Sequence, residues 1–347
     1  MKMYDWEDTI KDLEMDEVIK YIKADGLVIL PTETVYGLAA NAGSDVACKK
    51  IFTAKGRAQD NPLIVHVSDK KMISEIAEDP NEIEEKLIDT FMPGPFTLIL
   101  NKKDTICDVV SCGKATIGVR MPTNEIIHKI IDKSRIPLAA PSANISGRPS
   151  GTCVNDIKQE FEGKVDAIVN GGKCEIGIES TVVKVENGIP VILRPGFITE
   201  DDIKNVIGTV KLSDKLFKKV AKDEVVESPG MKYRHYAPQT KCVLVKADVE
   251  REDMTQVEKV NSLIKENDNC CVLGFEEDLS KLDISKDKFI NLGSKNNLQE
   301  ISQNVFSMLR KIDTMNCKIA IVEGVEKKNL GLSIMNRLVR ACENNVE

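Results

Sequence analysis

Histidine is scarce in this chain: His66, His128 and His235 are the only three among 347 residues, and they lie far apart. No Cys-x-x-Cys occurs either, so no zinc-ligand spacing can be read and no metal site is expected. No apolar run approaches the roughly eighteen residues of a membrane span. The opening Met1-Lys-Met-Tyr-Asp-Trp-Glu-Asp8 is acidic and lacks an apolar signal core, so the expectation is a cytoplasmic protein with no membrane partner. The ten cysteines are scattered over a long chain without a secretory signal, which argues against a disulfide framework. Cys270-Cys271 sits in an apolar run and reads as core, and Cys107 and Cys112 receive no role. A Walker loop, a dinucleotide fingerprint, an internal repeat and a low-complexity tract are all missing. So is an excess of positive charge: the formal net charge of −7 argues against generic nucleic-acid binding, leaving open only a local basic cleft.

What is present is an alternation of apolar runs and helical stretches, in a chain long enough for more than one domain. Leu27–Leu30, Leu63–Val67, Thr97–Leu100, Thr116–Arg120, Leu138–Pro141, Ala167–Asn170, Thr181–Val185 and Val191–Arg194 read as strands. Asn187-Gly188 predicts a hairpin turn between the last two, which makes the sheet mixed. A polar, Lys-rich helix follows, and then Ser228-Pro-Gly-Met-Lys-Tyr-Arg-His-Tyr-Ala-Pro238. Its Pro and Gly make it a linker, yet Tyr233, His235 and Tyr236 are rings that should dock on something. Beyond it, Lys241–Lys246, Cys270–Gly274, Phe289–Leu292 and Lys318–Glu323 read as strands, with helices over 254–266, 296–312 and 332–342. The expected fold class is α/β: a twisted mixed sheet with helices over residues 1–210, a linker or lid over 211–240, and a smaller βαβ parallel-sheet domain over 241–347.

Three segments stand at strand exits or between elements. Pro31-Thr-Glu-Thr-Val-Tyr-Gly-Leu38 follows a buried strand, where such exits line the ligand crevice of open α/β sheets. Lys55-Gly-Arg57 closes a helix capped by Ser44 or Asp45, and leads through Asn61 to the strand that carries His66. Two cations flanking a glycine can turn toward one anion, although an ordinary basic helix terminus has the same pattern. By position alone His66 is a satisfied strand histidine. Ser142-Ala-Asn144, continuing to Ser146-Gly-Arg148-Pro-Ser150, is a tight loop rich in donors for phosphate oxygens or a plain connection.

In their order and spacing these segments resemble the YrdC family of L-threonylcarbamoyladenylate synthases, in its long two-domain form. Met92-Pro-Gly-Pro-Phe-Thr-Leu-Ile-Leu100, Thr116-Ile-Gly-Val-Arg120-Met-Pro, Glu179-Ser180-Thr181 and Ile192-Leu-Arg194-Pro-Gly196 are similar to the family pattern as well. The linker ending at Pro238 and Gly331-Leu-Ser-Ile-Met-Asn-Arg337-Leu resemble the long form. Ala58 and Gly151 depart from it, since prolines are common at both positions.

The resemblance implies synthesis of threonylcarbamoyl-AMP from L-threonine, bicarbonate and ATP with release of pyrophosphate, the first step of a tRNA adenosine modification. Magnesium would accompany ATP, and a threonylcarbamoyl transferase complex would receive the product, with a weak tRNA contact conceivable. Residue by residue, it implies Lys55, Arg57, Ser142 and Asn144 as catalytic. It implies Arg57, Asn61, Thr116, Ser142, Ser150, Arg194, Tyr233 and Tyr236 for ATP, and Thr34, His66, Arg120, the backbone at Ala140 and Ser180 for threonine. The absence of a Ser-His-Asp set agrees with a mechanism of positioning and charge neutralisation. The alternative from another class is an RNA-binding module of this fold without catalysis, using Lys55, Arg57 and Arg148. A carbamoyl-transferring maturation enzyme would carry cysteine-rich zinc motifs, which this sequence lacks.

Overall fold

The computed structural model describes residues 1–216, 235–247 and 254–347. The end of the predicted Lys-rich helix and most of the linker, Tyr233 included, lie outside the described residues. The chain forms two compact units: Met1–Ser146, Gly151–Glu175 and Glu179–Tyr233 make the first, and Gly147–Ser150, Ile176–Ile178 and Arg234–Glu347 the second.

The first unit begins β1 (Lys2–Asp5), α1 (Asp12–Lys23), β2 (Val28–Leu30), β3 (Gly37–Asn41), α2 (Asp45–Lys55), β4 (Ile64–His66), α3 (Lys70–Ile76) and α4 (Glu82–Phe91). It continues with β5 (Phe96–Asn101), α5 (Asp108–Ser111), β6 (Thr116–Arg120), α6 (Glu125–Ser134), β7 (Leu138–Ala139) and α7 (Val154–Ile157). Then come β8 (Ala167–Asn170), β9 (Thr181–Glu186), β10 (Ile189–Arg194), α8 (Glu200–Ile207) and β11 (Lys211–Leu212). The strands form one mixed sheet in the order β1-β8-β2-β3-β7-β4-β6-β5-β9-β10-β11. The β9–β10 hairpin turns at Asn187 and Gly188, both at positive φ as a type I′ turn requires.

Strand alternation decides where the site can be. Val65, Val119, Leu98 and Val183 point to one face and join the main core. On the other face β4 places Ile64 and His66, in register with Gly118 and Arg120 of β6. Thr97 and Ile99 of β5 and Val182 of β9 extend that face, where Ile99, Val182 and Leu193 form a small apolar cluster of their own. Gly118 keeps its centre clear, since a Cβ there would stand 3.1 Å from Thr97 Cγ2 and 3.3 Å from Ile64 Cγ1.

The second unit holds β12 (Lys241–Val245), α9 (Gln256–Glu266), β13 (Cys270–Gly274), β14 (Phe289–Asn291), α10 (Leu298–Ile312), β15 (Ile319–Glu323) and α11 (Leu330–Ala341). Its four strands are all parallel, in the order β12-β15-β13-β14. The motif opening α11 is packed: Ile334, Arg337 and Leu338 are fully buried.

Candidate active site

The helix α2 delivers Lys55. Ser44 caps its start by accepting from the Ala47 N–H (3.2 Å), and Gly56, at φ 60°, ends it in the left-handed conformation that favours glycine. Lys55 is thus the last helical residue, only 1% exposed, and its ammonium donates to the Ser142 carbonyl and to the Asn144 carbonyl at 2.6 Å. The Ser142 hydroxyl donates to Asn144 Oδ1 at 2.6 Å. Ser142 also bridges Gly37, and the Ala143 N–H donates to the Tyr36 carbonyl (2.6 Å), so the 31–38 and 142–146 loops are tied together. Three segments far apart in sequence therefore meet around one buried cation.

Arg57 turns back on its own loop, where Nε donates to the Asn61 carbonyl (3.2 Å) and Nη2 to the Pro62 carbonyl (3.0 Å). Asn61 is buried, and its side-chain Oδ1 has no hydrogen-bond partner. Thr116 opens β6 opposite Asn101. Four residues along a strand is about 13 Å, so Thr116 stands that far from Arg120. The parallel register of β4 and β6 thus sets Asn61 and Thr116 toward one end of the face and His66 and Arg120 at the other.

At that other end the chemistry is concentrated. Arg120, 4% exposed, pairs through Nη2 with Glu33 Oε1 at 2.6 Å. Its Nε, the second Glu33 oxygen and His66 Nδ1 are buried without partners. Thr34 shares a 2.8 Å bond with the Thr32 hydroxyl, which also donates to the Val35 carbonyl (2.6 Å) and so shapes the turn that carries Glu33. The Ala140 N–H donates to the Ile64 carbonyl (3.0 Å). Arg194 clamps Ser180, donating to its carbonyl through Nε (3.1 Å) and Nη2 (3.0 Å), while the Ser180 and Thr97 hydroxyls lie 2.7 Å apart. Thr32 and Thr34 are the hydroxyls that the sequence places at this strand exit, whereas Glu33 and Thr97 are not singled out by it. The available signal for Glu33 was that a strand arginine on a buried face needs an acid, and Glu33 stands inside the Thr-Glu-Thr motif.

Ser150 and Tyr236 belong to the second unit. Ser150 is fully buried, and the neighbouring Pro149 and Ser150 carbonyls accept from Arg310. Tyr236 is buried at φ 62°, its ring 5.0 Å from that of Phe306 and 6.0 Å from the Arg337 guanidinium. In the first unit Gly151 has a physical cause: any Cβ there would meet Ile157 Cγ2 at 2.1 Å.

Burial, with the Arg120 charge beside it, pushes the His66 imidazole from 6.5 down to about 3. The native histidine is neutral and the unfolded one binds a proton below pH 6.5, so stability falls as pH drops through that window. The slope is about 1.4 kcal/mol per pH unit. Urea unfolding between pH 6.5 and 4.5 should show it in the wild type and lose it in His66→Gln; identical slopes would place the acid sensitivity elsewhere.

Fold and site together define an α/β protein that gathers buried cations, hydroxyls and unpaired polar atoms along one face of a mixed sheet. The telomere recombination family, which groups Sua5, YciO and YrdC, matches residues 20–196, and the threonylcarbamoyl-AMP synthase C-terminal domain matches 198–342. The threonylcarbamoyl-AMP synthase of Pyrococcus abyssi is 39% identical over 321 residues, 92% of either chain. That of Bacillus subtilis is 36% identical over 336 residues, 95% of this chain and 93% of the relative. A crystal structure of P. abyssi Sua5 complexed with L-threonine matches with a TM-score of 0.90 at 37% identity, covering 100% of this chain and 99% of that one. The chain belongs to the threonylcarbamoyl-AMP synthase family, in its long two-domain form.

Proposed function

We propose that this chain condenses L-threonine, bicarbonate and ATP into L-threonylcarbamoyladenylate and pyrophosphate, the first step of the threonylcarbamoyl modification of tRNA adenosine. One observation carries the assignment: Arg120 Nε, Glu33 Oε2 and His66 Nδ1 are buried and unsatisfied at one end of the same face. Buried polar atoms are rarely left so, and a cation, a carboxylate and a neutral imidazole complement the carboxylate, ammonium and hydroxyl of threonine. Deprotonated, the threonine amine attacks the carbon of bicarbonate to give the carbamate with loss of water. A carbamate oxygen then attacks the α-phosphorus of ATP, and pyrophosphate leaves. Arg57, Asn61 and Thr116 lie toward the opposite end of the face, where the nucleotide would extend, and Lys55 fixes the Ser142–Asn144 loop between them.

Magnesium enters as the ion bound to the ATP phosphates, where it would neutralise charge on the leaving group. Among the described residues no group of three or more His, Cys, Asp or Glu is arranged to hold a metal ion. The product would pass to a threonylcarbamoyl transferase complex in the cytoplasm. Among the described residues no helix is long and apolar enough to cross a membrane. Catalysis is favoured over RNA binding alone because Lys55, Arg120 and Arg194 are buried at 1%, 4% and 7% exposure, whereas a phosphate backbone is held by exposed cations.

Incubation with ATP, threonine and labelled bicarbonate should yield labelled threonylcarbamoyl adenylate, and no labelled product would refute the function. Serine should serve as a poorer substrate, with kcat/KM lower by roughly 10- to 200-fold, the discrimination one methyl group supports. Equal values for the two amino acids would contradict the pocket.

A further inference from the structure

The second unit has a cavity of about 920 Å³ at the C-terminal edge of its parallel sheet, lined by the segments that follow all four strands. Its place follows from the topology. The chain leaving β12 enters α9, which packs on the face carrying Val243, Val245 and Ile321. The chain leaving the neighbouring β15 enters α11, whose end reaches Cys242 on the opposite face. Adjacent strands whose connections part to opposite faces open a crevice between them, where open α/β sheets bind ligands.

The crevice is lined with charge held in place. Gln256, 8% exposed, donates through Nε2 to the Val245 carbonyl (3.1 Å) and the Gly324 carbonyl (2.9 Å), pinning the ends of β12 and β15. Its Oε1 accepts from Lys295 Nζ at 3.2 Å. The same ammonium pairs with Asp278 Oδ2 and lies 5.2 Å from the Phe275 ring centroid. Asp278, only 2% exposed, also pairs with the exposed Lys281 at 3.0 Å, and a third lysine, Lys328, lines the cavity. Beneath them Glu323 is fully buried, its Oε2 accepting from the Phe275 N–H (3.0 Å) and its carboxyl in hydrogen-bonding contact with that of Asp278. Gly274 leaves room for that carboxyl, since a Cβ there would meet Glu323 Oε2 at 2.2 Å. Asp278, Lys281, Lys295, Glu326 and Lys328 line this one cavity with Glu323 beneath it, and none of them takes part in the adenylate chemistry proposed above.

We propose that this cavity is a second ligand site, for a ribose phosphate group such as that of a nucleoside monophosphate, with Asp278 accepting from a sugar hydroxyl and Lys281 and Lys328 facing the phosphate. An ionised carboxylate has about four acceptor positions, of which the two lysines occupy two and the Glu323 carboxyl a third, leaving one for a hydroxyl donor. The starting points of α9 and α10 at the same edge add partial positive charge where the phosphate would sit.

The test is calorimetric titration of the full chain with ribose 5-phosphate, AMP and inorganic phosphate. Ribose 5-phosphate and AMP should both bind, and inorganic phosphate at least tenfold more weakly. Lys281→Ala should weaken ribose 5-phosphate binding about tenfold while leaving threonylcarbamoyl adenylate synthesis at its wild-type rate, and Arg57→Ala should leave that binding intact. Asp278→Asn should abolish the preference for sugar phosphate over phosphate; Lys281 is exposed, so its variant keeps the test decisive should Asp278→Asn fail to fold. Absence of ribose 5-phosphate binding, equal binding of inorganic phosphate, or binding insensitive to Lys281 but lost in Arg57→Ala would overturn the proposal.

Discussion

Lys55→Met is expected to lower threonylcarbamoyl adenylate synthesis by at least a hundredfold. Lys55 is 1% exposed, and its ammonium sits between the Ser142 and Asn144 carbonyls, the first of which also accepts from the Asn144 N–H (3.1 Å). Methionine keeps the length and apolar stem of lysine but takes the charged donor away from both buried carbonyls, and a lost charge-assisted hydrogen bond costs about 1.5–3 kcal/mol. The cost falls first on the loop: Ser142 and Asn144 lose their anchor, and with them the donors proposed to face the phosphates. A preorganised charge near a reacting phosphate contributes about 3–4 kcal/mol to the transition state, hence the hundredfold figure. Because Lys55 also supports the fold, the unfolding midpoint should drop as well, and the two effects need separating. Arg57→Ala makes the separation, since that side chain is half-buried and donates to the Asn61 and Pro62 carbonyls of its own loop, so it should lose activity with little loss of stability. Near-wild-type turnover in both variants would remove Lys55 and Arg57 from the catalytic role.

Much of this was legible in the sequence because its signals were local. Thr116–Arg120 and Ala167–Asn170 read directly as strands, and the structure forms them over the same residues. Asn187-Gly188 gave its hairpin, and the Ser44 cap fixed the start of α2. β3 was not legible: Gly37-Leu-Ala-Ala-Asn41 is made of residues with little strand preference, and it is a strand because Leu30 and Gly37 pair across the six-residue connection 31–36. That pairing is also why the threonine motif curls back over the sheet. The partner of Arg120 was illegible for a related reason, since nothing in spacing connects positions 33 and 120. Only register and burial do: a buried guanidinium on β6 is tolerable only if an acid is brought to it, and the turn held by Thr32 and Thr34 brings Glu33. His66 reads by position as an ordinary strand histidine, and only its unpaired Nδ1 beside Arg120 marks it as a candidate ligand of the proposed threonine site.

Arg120→Ala is expected to raise KM for threonine by roughly 10²- to 10⁴-fold while leaving KM for ATP within about threefold of wild type. Two charge-assisted hydrogen bonds to a carboxylate contribute about 1.5–3 kcal/mol each, which sets the range. The same substitution strands Glu33, a carboxylate at 4% exposure whose other oxygen already lacks a partner, and breaking a buried pair in this way costs about 3–5 kcal/mol of stability. Glu33→Gln on the Arg120→Ala background should restore most of that stability, because the stranded charge is gone, yet restore none of the threonine affinity. Arg120→Lys should fall between, keeping the charge but losing the planar fork. Glu33→Gln alone should also raise KM for threonine if Oε2 receives the ammonium, with an effect on stability far smaller than that of Arg120→Ala. Steady-state kinetics in each substrate, with urea unfolding of the same four proteins, separates the two roles. If KM for threonine is unchanged in Arg120→Ala, or rises only in step with KM for ATP, the Arg120–Glu33 pair is a structural ion pair and the amino acid binds elsewhere on the face.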